Sequence, residues 1–174
     1  DRPSCGTICW YRPQERMTGM RKNGRGPYTH GHQPVVVDEH ARRSAERNAA
    51  YRLPHLKPGM SLLDIGCGPG SITAGLAMSV APGRTVGVDT SEAALKRARA
   101  DASEAGIENL EYQMADAYDL PFSDGSFDTA HMHQVLQHLS DPEQALREAV
   151  RLLAPGGVIG ITEVDWDTAI RSDG

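Results

Sequence analysis

Leu62-Leu63-Asp64-Ile65-Gly66-Cys67-Gly68-Pro69-Gly70-Ser71 decides how the rest of the chain is read. A mostly apolar run enters a loop with glycine at every second position, and Ile72, Leu76 and Val80 follow at helical spacing. The order is therefore strand, glycine loop, helix. Glycine removes Cβ where a ligand must approach the backbone closely, and the start of a helix adds unpaired N–H groups. A turn alone needs one or two glycines rather than three in register. Gly66, Gly68 and Gly70 are therefore candidates for a ligand cradle.

The spacing G-x-G-x-G differs from the G-x-G-x-x-G of dinucleotide sites, which argues against a nicotinamide-dependent oxidoreductase. Asp64 points the same way, since a carboxylate at that place repels a pyrophosphate and suits a ligand carrying an ammonium group.

Outward from this stretch, strand and helix alternate. Met60–Ile65 reads as a strand and the helix after it ends before Pro82-Gly83. Arg84–Asp89 is a second strand, and Ser91 caps a helix with Leu95, Ala98, Ala102 and Ala105 inward, stopped by Gly106. Leu110–Met114 is a third strand, and Phe127–Met132 a fourth, with a short helical turn to Leu139. Asp141-Pro142 opens a helix with Gln144 at capping-box spacing and Leu146, Ala149, Val150 and Leu153 on its inner face. Ala154-Pro155-Gly156-Gly157 ends it before a fifth strand, Val158–Glu163. Such alternation predicts an α/β fold, a doubly wound parallel sheet with helices on both faces.

Three segments are expected. Residues 1–34, rich in Gly, Pro, Arg and His, read as irregular; 35–57 as a helical extension, with Asp38 capping a weakly amphipathic helix to about Arg52; and 58–174 as the α/β domain. Residues 1–52 hold ten basic against five acidic residues, and 53–174 eight against eighteen. The acidic domain argues against a nucleic-acid partner. No stretch is long and apolar enough to span a membrane, and no apolar signal core is seen at the start, so cytoplasmic residence is the expectation. Of three cysteines, Cys5, Cys9 and Cys67, the last lies in the glycine loop, so a disulfide scaffold is not expected.

Two further carboxylates stand at strand ends. Asp89, 19 residues beyond Gly70 and with Thr90 beside it, can accept from both hydroxyls of a ribose, each charge-assisted bond contributing about 1.5–3 kcal/mol. Asp116 leaves the third strand where it can accept from an adenine amino group, while the Ala117 amide addresses a ring nitrogen. An Asp after a strand is also a common turn former.

Together these segments, over about residues 58–163, resemble the class I S-adenosylmethionine-dependent methyltransferases, in particular the small-molecule branch with the ubiquinone and menaquinone methylating enzymes. Leu152-Leu153-Ala154-Pro155-Gly156-Gly157-Val158 fits that family's turn before the fifth strand. The resemblance implies a Rossmann-like fold and a small-molecule methyl acceptor. It also implies that Asp64 and Gly66–Gly70 hold the methionine end of S-adenosylmethionine, Asp89 the ribose, Asp116 and Ala117 the adenine, and that His133 lies beside the methionine moiety. A cofactor-binding module without catalysis is the alternative.

The remaining candidates are weaker. His131, His133 and His138 invite a metal or general-base reading, but the first two alternate along a strand and are better read as pocket lining or packing. His30-x-His32 near Tyr28 is read as lid rather than metal site, and Cys5-x3-Cys9 as incidental. Glu163-x-Asp165 at the mouth of the fifth strand is placed for acceptor contacts or for a cap. The family fold continues past the fifth strand, whereas eleven residues, Val164–Gly174, follow it here. The expectation is a sheet truncated after that strand, with its edge unpaired.

Overall fold

The computed structural model describes residues 43–163 and the backbone of Ile8–Tyr11. Six strands form one sheet: β1 (Ile8–Tyr11), β2 (Leu62–Ile65), β3 (Thr85–Asp89), β4 (Leu110–Met114), β5 (Phe127–His133) and β6 (Leu153–Thr162), in the order β1-β6-β5-β2-β3-β4. β2 to β6 run parallel, and between them lie α2 (Ser71–Val80), α3 (Glu92–Glu104) and α4 (Pro142–Arg151). α1 (Ala45–Asn48) precedes β2. The chain winds one way from β2 to β4 and the other way from β5 to β6, so the direction reverses between β2 and β5. In open parallel sheets the crevice at that switch point, at the carboxyl ends of the strands, is where ligands bind.

The core follows the sequence pattern. β2 and β3 are buried on both faces, and Leu63, Ile65, Val86, Val88, Ala130, Met132, Ile159 and Ile161 pack with Ala149 and Leu152. On the other face Leu62, Ile72, Leu76 and Val80 meet Ala45 and Ala49. Ser91 caps α3 by accepting from the Ala94 N–H (3.3 Å), and Leu95, Ala98 and Ala102 are buried, but Ala105 is exposed because the helix stops one residue earlier. Asp141 caps α4 by accepting from the Gln144 N–H (3.0 Å). The return half of the expected capping box is not made: the Asp141 N–H donates to the Tyr118 hydroxyl (2.9 Å), leaving the exposed Gln144 side chain unused in the cap.

Three expectations are corrected. The extension is not one helix to Arg52. α1 ends at Asn48, Ala49 turns away with φ −129°, and a single turn of 3-10 helix follows at Leu53–His55. The turn carries Arg52, 1% exposed, into the sheet face, where its guanidinium donates to Thr129 Oγ1 and packs on Gly160. The Asp38 cap lies outside the described residues. Nor is the first segment wholly irregular, because Ile8–Tyr11 pairs antiparallel with β6 from Ile8↔Thr162 to Tyr11↔Ile159. The edge expected to be open is covered by this strand. Finally, the Pro-Gly-Gly turn is absorbed into β6, whose register with β5 shifts between Phe127↔Leu153 and Thr129↔Val158. Among the described residues no helix is long and apolar enough to cross a membrane.

Candidate functional site

The carboxyl ends of β2, β3 and β5 open on a cleft of about 590 Å³, its open mouth included. Ile65 and Gly66 bring β2 to it; Val88, Asp89 and Thr90 come from β3, Ala115, Asp116 and Ala117 follow β4, and Gln134, Val135, His138 and Leu139 follow β5. Six residues singled out in the sequence (Gly66, Asp89, Thr90, Asp116, Ala117 and His138) thus meet around one space.

The three glycines share positive φ (72°, 54° and 77°) but not surroundings. A Cβ on Gly66 would lie 2.5 Å from Val135 Cγ2, so this glycine lets the loop after β5 close against the cradle. A Cβ on Gly68 would meet nothing within 4 Å, as expected of a backbone kept bare for a ligand. Gly70 faces inward instead, where a Cβ would stand 2.2 Å from the Tyr112 hydroxyl. Cys67 lies between them as a free thiol, kept protonated above all by burial and then by the nearby Asp64 and Asp89 carboxylates.

Asp89 ties this loop to β3. Its Oδ2 accepts from the Gly68 N–H (2.8 Å) and its Oδ1 from the Ser91 N–H (2.8 Å). Each carboxylate oxygen retains acceptor capacity, and the residue lines the cleft. Asp116 Oδ1 accepts from the Tyr118 N–H (3.0 Å), so it forms a turn as well as lining the cleft.

Asp64 is placed differently. It is 3% exposed, its Oδ2 accepts from the Thr73 hydroxyl (2.6 Å), and its Oδ1 lies 2.9 Å from His131 Nδ1. In this arrangement the carboxylate supports the loop from beneath rather than facing the cleft. The pairing is a consequence of register, since Asp64 and His131 are partners across β2 and β5. His133 stacks on His131, with ring centroids 6.2 Å apart, and is not among the residues lining the cleft. His30, His32, Cys5 and Asp165 lie outside the described residues, and of Cys9 only the backbone is described, in β1.

Glu163, just past β6, is engaged by the backbone of the loop after β5. Its carboxylate accepts from the N–H groups of Val135 (3.0 Å), Leu136 (2.8 Å) and Gln137 (3.4 Å). Its pKa is raised because burial outweighs these three bonds. Gln134 and Val135 were not foreseen from sequence. Gln134 has φ 55°, rare outside glycine, and such strain gathers at functional sites.

The family described as methyltransferase domain matches residues 63–161, more than half of the chain. The chain belongs to this methyltransferase family. Its similarity extends to a demethylmenaquinone methyltransferase of Desulfitobacterium hafniense (strain Y51), 36% identical over 65% of this chain and 46% of that one. A SAM-dependent methyltransferase of Aquifex aeolicus has the same fold at TM-score 0.71, with 25% identity over 83% of this chain and 78% of that one. The 4+2 cyclase SpnF is also similar, at TM-score 0.60 and 33% identity over 74% of this chain and 44% of that one. The chain spans a third to about half of the first curated relatives it matches.

Proposed function

We propose that this protein binds S-adenosylmethionine in the cleft at the switch point and directs its methyl group to a small-molecule acceptor. The observation that carries the proposal is Asp89, which lines the cleft and ties the glycine loop to it through the Gly68 N–H. A loop left bare at Gly68, next to a carboxylate with acceptor capacity to spare, fits an adenosyl ligand. When bound, S-adenosylmethionine supplies a methyl group already activated on a sulfonium.

The residues then divide the work. Asp89, with Thr90 beside it, would hold the ribose hydroxyls, and Asp116 and Ala117 the adenine edge. Gly66 and Gly68 would hold the methionine end, with Gly70 shaping the loop, Asp64 fixing it from below through Thr73, and His133 on the β5 side. Orienting the acceptor in line with the methyl group accounts for much of the acceleration in such reactions. A general base is needed only where the acceptor must lose a proton, and no residue is assigned that role. The similarity to demethylmenaquinone methyltransferases supports an acceptor in the same chemical range, a small aromatic or quinone-like molecule.

A second reading is favoured by one comparison: a protein named a cyclase shares this fold at 33% identity, so the fold alone does not fix the reaction. Calorimetry with S-adenosylmethionine, its demethylated product and NAD on one preparation separates the possibilities. The first two should bind and NAD should not. Asp89→Ala should weaken S-adenosylmethionine binding by about 2–4 kcal/mol, as both ribose bonds and the tie to Gly68 are lost. Unchanged affinity in that variant would remove the ribose assignment. Tight binding without methyl transfer to any quinone-like acceptor would favour the non-methylating reading.

A further inference from the structure

The wall of the cleft formed by Gln134, Val135, His138 and Leu139 has little regular structure of its own, only one turn of 3-10 helix at Leu136–His138. N–H groups at the start of such a turn have no acceptor within it and must find one elsewhere. Here the acceptor is a charged side chain from another strand. Glu163 Oε1 receives the N–H groups of Val135 and Leu136, and Oε2 that of Gln137, across 26–28 residues of sequence. The Gln134 N–H donates to the Thr162 carbonyl (2.7 Å), one residue before Glu163. The wall therefore hangs on the last two residues of this strand end.

This suspension reaches the cradle. Val135 Cγ2 stands 2.5 Å from where a Cβ on Gly66 would be, so wall and glycine loop are in direct contact, and a shift of Val135 alters the opening between them. Charged acceptors form stronger hydrogen bonds than neutral ones. Withdrawing this carboxylate from water carries a cost, visible in its raised pKa, and the three bonds only partly offset it.

We infer that Glu163 is a positioning residue of the cofactor cleft: its carboxylate sets the Gln134–Leu139 wall and, through Val135, the gap to Gly66 that admits the ligand. The inference rests on the reading that this cleft takes S-adenosylmethionine.

The test uses the 174-residue chain and its variants Glu163→Ala, Glu163→Asp and Glu163→Gln. Affinity for S-adenosylmethionine is measured by calorimetry well below each unfolding midpoint, and amide hydrogen exchange is followed at Val135, Leu136 and Gln137. Glu163→Ala removes the acceptor, and Glu163→Asp, one methylene shorter, withdraws it from reach. Both should bind at least about tenfold more weakly, with faster exchange at the three amides. Glu163→Gln keeps a carbonyl oxygen for the two shorter bonds and should stay within about threefold of wild type.

Affinity within about threefold of wild type in Glu163→Ala overturns the inference, as does equal loss in all three variants, which is the pattern of a general packing role. If Glu163→Ala does not fold, Glu163→Asp decides by the same criterion. A wild-type chain that fails to bind S-adenosylmethionine refutes the proposed function. In that event the exchange rates still decide whether Glu163 holds the wall, unchanged rates counting against it.

Discussion

Gly68 and Gly70 both sit at positive φ, but the missing Cβ serves a different purpose in each. At Gly68 it would enter open space, and at Gly70 it would collide with the Tyr112 hydroxyl and with Ala98. Gly68→Ala should therefore cost only the backbone penalty, about 1–2 kcal/mol in denaturant unfolding, yet weaken S-adenosylmethionine binding by about tenfold or more. Gly70→Ala should lose about 2–4 kcal/mol of stability through overpacking as well as strain. Normal binding by Gly68→Ala would mean that the loop is not the cradle. From sequence the two glycines look alike, because the difference depends on Tyr112, 42 residues away on β4 and reaching the Gly70 carbonyl at 3.2 Å. The place of Asp89 at the cleft was legible because it follows from local position at a strand end. Asp64 was only half legible: its place beside the loop could be read, but its burial against His131 depends on how β2 and β5 come into register.

At the scale of elements, α4 holds the long connection from the cleft to β5. Arg151, in its last turn, donates to the Leu120 and Phe122 carbonyls (3.1 and 2.9 Å) and to Asp124 and Glu148 (both 2.6 Å), while Glu148 accepts the Leu120 N–H (2.9 Å). Arg151→Met should cost about 1–3 kcal/mol in urea unfolding, the lower part of that range reflecting partial exposure. The Glu148 carboxyl is held below its ordinary 4.5, first by the hydrogen bonds from Arg151. Its folded pKa is thus lower than its unfolded one. The stability it contributes is fully present above the unfolded value and is lost as pH falls through the folded value. Glu148→Gln should lower stability at neutral pH and flatten the decline on acidification below 4.5, as seen in urea midpoints of both proteins across that range. The Asp141-Pro142 start of this helix was legible because cap and first turn are local. The fate of the Asp141 N–H was not, because it is settled by Tyr118, 23 residues away. The same holds for the extension, where a weakly amphipathic pattern suggested a longer helix than the buried Arg52 permits.

Across the whole molecule, the parallel part of the sheet could be read from alternating strand and helix patterns, since β2, β3 and β5 are each followed by a helix before the next strand. Ile8–Tyr11 could not. Four residues in a Gly-, Pro- and Arg-rich segment carry no period of their own, and their pairing with β6 spans most of the chain. This strand is antiparallel and outermost, separated from the cleft by β6 and β5, while β4 forms the opposite edge. Its contribution therefore belongs to the sheet and not to the ligand. Removing residues 1–12 should uncover the backbone N–H and C=O groups of β6, and exposed edges of that kind pair with other chains. The shortened chain should unfold at a midpoint lower by roughly 3–8 °C and should associate with rising concentration in sedimentation velocity runs. Its affinity for S-adenosylmethionine, measured on the monomer at low concentration, should remain within about threefold of the longer chain, because none of the cleft residues is carried by β1. A shortened chain that stays monomeric with an unchanged midpoint would show that β1 contributes nothing to the edge. Loss of binding without loss of stability would instead place part of the ligand site in the first twelve residues.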